Sequence, residues 1–194
     1  MFGWALEYAA EAERSGWDEL WTTEDHFVPA VQSSSALTLA AFLLGRTPLS
    51  VGTGVCVLPN HHPVALAEQA AVLHHLSGGR FTLGVGRGVP RADLEILGTG
   101  MAGHEDTEES LTLLANTLRE GKAAGVGPRY EFGEVQLVPD APERVPLVQS
   151  AASPASARLA LFPVDDDSEV TRRTLINPCA RPSGLPVTWW VRAG

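Results

Sequence analysis

An arginine set between two glycines, Gly86-Arg87-Gly88, ends the apolar run that begins at Phe81. A guanidinium there offers two parallel N–H groups that match two phosphate oxygens, and the flanking glycines let the backbone come close to a ligand. An arginine satisfied by a carboxylate at the end of the strand is the competing reading. The spacing is not a full dinucleotide fingerprint, because Val89 stands where the last glycine belongs, and it is not a P-loop. A second anion-binding feature is Ser153-Pro154-Ala155-Ser156, where two serines bracket the start of a predicted helix. The free N–H groups and positive dipole end of such a helix attract phosphate, although Ser153 with Pro154 behind it also makes an ordinary N-cap. The third feature is Glu24-Asp25-His26-Phe27, an imidazole between a carboxylate and an aromatic ring, suited to moving a proton near neutral pH. Further histidines follow another apolar run (His61, His62) or close a predicted helix (His74, His75), where their charge favours the helix C-terminus. Adjacent histidines on a helix point in different directions. The two cysteines, Cys56 and Cys179, lie far apart, so neither a disulfide nor a metal is expected.

The elements that must position these groups alternate along the chain. Helices are expected over residues 2–15, 33–45, 62–79 and 106–121, and apolar strands over 18–23, 49–59, 80–86 and 145–151. Residues 129–138 read as a small hairpin, and a further helix opens at Ser153. Strands apolar on both faces, each followed by a helix, mark parallel strands with covering helices. Ligands of such folds sit beyond the carboxyl ends of the strands. The polar segments around His26, His61, Arg87 and Ser153 all follow strands, so they belong on one rim.

Composition narrows the class. The chain has 194 residues, 44% hydrophobic, and carries a formal charge of −9 from 14 basic and 23 acidic residues. A nucleic-acid binder needs a basic face, so that class is excluded. No apolar run approaches the ~20 residues that span a bilayer, and the first residues lack a basic start and an apolar signal core. A soluble cytoplasmic protein is expected.

Three segments together carry a resemblance: GWDELWTTEDHF (16–27), NHHPVALAEQAAVLHHLSGGRFTLGVGRG (60–88) and LGTGM (97–101). They resemble the bacterial luciferase-like monooxygenase family over about residues 4–161. The resemblance implies a TIM-type (β/α) barrel that binds FMN, or the related deazaflavin coenzyme, at the strand carboxyl ends. It assigns Arg87, with Gly86 and Gly88, to the cofactor phosphate, and Ser153 and Ser156 likewise. Luciferases proper carry two histidines where this chain has Asp25 and His26, and the first of those is their usual catalytic candidate. The order Asp25-His26-Phe27 is more similar to the deazaflavin-dependent branch, whereas residues 87–101 look closer to the FMN branch. FMN is the expected cofactor, deazaflavin the alternative. The resemblance also implies a non-prolyl cis peptide within residues 55–59.

The family's first strand should precede the opening helix, and no further strand–helix unit is legible after Phe162. The expected architecture is therefore a partial α/β barrel over residues 1–162, followed by a divergent tail at 163–194. A partial barrel leaves strand edges and an open interior, which invite pairing with a second chain. The implied function is oxygenation of an organic substrate by reduced FMN and dioxygen, with Asp25 and His26 near the flavin ring. A separate flavin reductase and a homodimer are the implied partners. Hydride transfer with deazaflavin, or a truncated non-catalytic relative that dimerises, are the alternatives.

Overall fold

Ala9 and Ala12 give helix α1 (Gly3–Arg14) a buried face, and Gly16, at φ 74°, turns the chain into strand β1 (Glu19–Thr22). In the computed structural model, residues 3–29, 33–88, 92–97, 107–140, 145–151 and 175–176 are described. Ser35 caps helix α2 (Ala36–Leu44), its hydroxyl accepting the Thr38 N–H. Strands β2 (Ser50–Thr53) and β3 (Cys56–Val57) lead through a 3-10 turn (Leu58–Asn60) to helix α3 (Pro63–Ser77). Strand β4 (Phe81–Gly86), the short helix α4 (Ala92–Ile96) and helix α5 (Thr107–Glu120) follow. An antiparallel hairpin, β5 (Lys122–Val126) with β6 (Glu131–Gln136), precedes strands β7 (Leu147–Ala151) and β8 (Leu175–Ile176).

The main sheet is parallel, in the order β1-β2-β4-β7-β8, with β3 paired to the end of β4 beyond β2. Leu20, Val51, Phe81, Leu83 and Val85 are buried along it, and helices α2, α3 and α5 supply Ala40, Leu43, Leu66, Ala70 and Leu114 to the same core. This is the wall of a partial α/β barrel, as the both-faces-apolar strands require. Among the described residues, no helix is long and apolar enough to cross a membrane.

The glycines of the sheet face have a steric reason. A Cβ on Gly52 would come within 2.6 Å of the Trp21 ring, and one on Gly84 would overlap the Thr53 carbonyl oxygen. Thr53 seals the same place, its Oγ1 donating to the Gly84 carbonyl at 2.7 Å and accepting the Gly84 N–H at 2.8 Å. Gly84→Ala is therefore expected to cost about 2 kcal/mol, the usual scale of forced overpacking. Urea unfolding measures it as a lower midpoint at unchanged slope; an unchanged midpoint would refute the steric reading.

Four sequence expectations need adjusting. The apolar run at 49–59 is not one strand. It breaks at a cis peptide between Gly54 and Val55, just before the expected 55–59, so that β2 pairs with the start of β4 and β3 with its end. The hairpin's first arm is β5, earlier than the expected 129–138, because the Glu109 carboxylate accepts the N–H groups of Arg129 and Tyr130 and fixes the turn between the arms. His74 is buried and its Nδ1 meets the Phe81 carbonyl at 3.3 Å, while His75 Nε2 meets the Asp140 carbonyl at 2.6 Å, so both tie α3 to its neighbours. Within the tail, Leu175–Ile176 extends the sheet beside β7.

Candidate functional site

The carboxyl ends of the parallel strands form one rim. After β1 the chain is tied down at once: the Thr22 hydroxyl donates to the Ala36 carbonyl at 2.9 Å, the Ser33 hydroxyl to the Thr23 carbonyl at 2.6 Å, and the Asp25 N–H to the Ser33 carbonyl at 2.8 Å. Phe27, in the left-handed region at φ 56°, then turns outward and is exposed.

Glu24 is the buried centre of this rim, its side chain only 2% exposed. His26 Nε2 lies 3.0 Å from its Oε1, and His61 Nε2 lies 2.8 Å from its Oε2, which also accepts the Val57 N–H at 3.3 Å. Burial pushes the Glu24 carboxyl up, but His61, then His26 and the Val57 N–H, outweigh it and hold the group below the ordinary carboxylate value. A carboxylate can only accept, so each histidine turns an Nε2–H toward Glu24, which leaves Nδ1 as the other functional atom of each ring. Cys56 lies beside this cluster. Burial, with the Glu24 carboxylate adding to it, pushes its thiol up to about 12, against a lowering contact from Thr53.

Arg87 lies at the same rim, at the end of β4. It is exposed, and among the described residues its guanidinium has no hydrogen-bond or ion-pair partner. Its neighbours explain the flanking glycines: a Cβ on Gly86 would come within 2.8 Å of the Val55 side chain, and Gly88 takes φ 71° against Val57. The register of β4 with β7 (Leu83 with Leu147, Val85 with Gln149) brings both strands to the rim side by side. Ser153 and Ser156, expected just past β7, lie outside the described residues. Two strand spacings, roughly 10 Å, separate the β1 end from the β4 end, so an elongated ligand with one anionic end can lie across both.

Arg80, the other arginine of the same stretch, has a structural duty at the opposite end of β4. It donates to the carbonyls of Leu44, Thr47, Leu49 and Ser77 at 2.7–3.0 Å. The sequence reading placed the segments holding Glu24, His26 and His61 on the rim, gave roles there only to Asp25 and His26, and passed over Cys56. Glu24 had a usable signal, since residues two apart on extended chain share a face. Nothing in the sequence joined Cys56 or His61 to Glu24, because only the pairing of strands brings them together.

The family described as luciferase-like monooxygenase matches residues 2–162. A curated relative, 4-hydroxyprotoasukamycin monooxygenase of Streptomyces nodosus subsp. asukaensis, is 38% identical over 161 residues, which is 80% of this chain and 43% of that protein. Monooxygenase RslO1 from Streptomyces bottropensis superposes with a TM-score of 0.74 at 25% identity, over 82% of this chain and 50% of that one. Two further structures share the fold alone. The oxygenating constituent of 3,6-diketocamphane monooxygenase from Pseudomonas putida, solved with FMN, matches at 23% identity, with a TM-score of 0.69 over 82% of this chain and 50% of that one. An F420-dependent secondary alcohol dehydrogenase matches at 24% identity, with a TM-score of 0.68 over 80% of this chain and 50% of that one. The chain thus spans half or less of the length of these proteins.

Proposed function

The chain belongs to the luciferase-like monooxygenase family, and on that premise we propose that it is a flavin-dependent monooxygenase acting with reduced FMN and dioxygen on an organic substrate. The observation that carries the reading is Arg87, an exposed guanidinium without a partner among the described residues, on the rim that also holds Asp25 and His26. In this reading Arg87 grips the FMN phosphate with two parallel hydrogen bonds. The narrow Gly86–Gly88 backbone lets the phosphate approach, and Ser153 and Ser156 complete the grip from the end of the neighbouring strand. Asp25 and His26 serve the ring end as proton-handling groups, and Glu24 is the positioning residue that fixes the His26 ring. Bound reduced flavin supplies the electrons that activate dioxygen; the protein supplies orientation and exclusion of water. Residues 1–162 carry this site and 163–194 a divergent tail. A separate reductase supplies the reduced flavin, and the protein acts in the cytoplasm as a homodimer.

Deazaflavin-dependent hydride transfer is the second reading, favoured by the pair Asp25-His26 and by the F420-dependent relative of similar fold. A non-catalytic, dimerising relative is the third. It is favoured by β1, which pairs only with β2 among the described residues. Titration of the purified chain with FMN and with the deazaflavin coenzyme, followed by quenching of flavin fluorescence, separates the three. Tighter binding of FMN by about tenfold or more supports the first reading. The reverse order supports the second, and no binding of either supports the third.

A further inference from the structure

Glu24, Cys56 and His61 each bring one donor atom to a common point, the three atoms lying within 4.8 Å of one another. They come from three separate places: the loop after β1, strand β3, and the turn before α3. His26 Nε2, 3.0 Å from the other Glu24 oxygen, stands next to them. We propose that Glu24, Cys56 and His61 form a binding site for one zinc-class divalent cation, with water as the fourth ligand.

The donor set selects the ion. A thiolate, an imidazole and a carboxylate suit zinc or cobalt, whereas magnesium and calcium want oxygen ligands only. Zinc bonds of about 2.0–2.3 Å hold tetrahedral donors roughly 3.3–3.8 Å apart, so the side chains need only small shifts to close on an ion. Charge balances as well. One carboxylate and one thiolate neutralise a dication, and a neutral imidazole ligand adds nothing, so the loaded site buries no net charge. Uptake exchanges protons for metal: the Cys56 thiol releases its proton to solvent, and the His61 imidazole gives its Nε2 lone pair to the ion by moving its own proton to Nδ1. The entry path is open on one side. Glu24 and Cys56 form a buried floor, while the His26 and His61 side chains are 17% and 28% exposed.

The test needs no flavin, so it stands or falls apart from the oxygenase reading. The whole chain, stripped with a chelator and free of flavin, is titrated with cobalt(II). The expected result is a saturable spectrum with visible bands of tetrahedral intensity and a near-ultraviolet thiolate-to-cobalt band, both bleached by zinc. Cys56→Ser should remove the thiolate band, and His61→Ala or the less disruptive His61→Gln should weaken affinity by roughly 10–100-fold. Cys179→Ser and His75→Ala should leave the titration unchanged. Absence of a saturable spectrum, or a thiolate band that survives Cys56→Ser, overturns the site.

Discussion

Replacing Glu24 by alanine is expected to cost about 3–5 kcal/mol of stability, the scale found when one partner of a buried charged network is removed. The substitution strips three donors of their acceptor at once: the rings of His26 and His61 and the Val57 N–H. Two of those donors come from segments more than thirty residues downstream, so the loop after β1 loses its tie to β3 and to the turn before α3. Glu24→Gln separates shape from charge. It keeps the volume and one acceptor oxygen, but its amide N–H₂ must face one imidazole, which forces that ring into its other tautomer. A smaller loss of about 1–2 kcal/mol follows. The pH dependence has a definite sign. Glu24 sits below its ordinary value of 4.5 in the folded chain, so its stabilising contribution is complete above that value and disappears as pH falls through the lower, folded one. Urea unfolding with a chelator present, compared at neutral and acid pH, should show the wild-type chain losing stability more steeply on acidification than Glu24→Gln. Parallel loss in both would mean that the Glu24 charge does not hold the rim.

What could be read from the sequence followed from how locally each signal is written. Runs such as residues 81–86 are apolar on both faces because each strand is covered on both sides, and that alone gave the parallel sheet. The rim was equally legible, since every polar or glycine-rich surprise came directly after such a run. Strand β5 was not: Lys-Ala-Ala-Gly-Val has one β-branched residue, and it is Glu109, on α5, that fixes the adjoining turn. The bend at Gly54–Val55 was hidden inside a continuous apolar run. The two arginines of a single stretch show the limit most plainly. Arg80 and Arg87 both follow glycine, yet one is spent on four carbonyls at the base of the sheet and the other faces outward at its rim. The Glu24 cluster lay further out of reach, because Glu24 and His61 stand 37 positions apart and meet only once β1, β2 and β4 are side by side.

Arg87→Ala is expected to weaken FMN binding about 10–100-fold while leaving riboflavin binding unchanged. The size follows from a charge-assisted, two-pronged contact worth roughly 1.5–3 kcal/mol, and the selectivity from the fact that riboflavin lacks the phosphate. Arg87→Lys should fall between the two, since an ammonium keeps the charge but not the parallel pair of N–H groups. The fold offers a clean background for this test. Arg87 is exposed and has no partner among the described residues, so its truncation should move stability by no more than about 0.5 kcal/mol. Salt adds a further discriminator, because an exposed ion pair is screened as ionic strength rises. The advantage of the wild-type chain over Arg87→Ala should therefore shrink in concentrated salt. Equal losses for FMN and riboflavin would place Arg87 near the ring or in the pocket wall instead. No loss for either would remove Arg87 from the proposed phosphate grip.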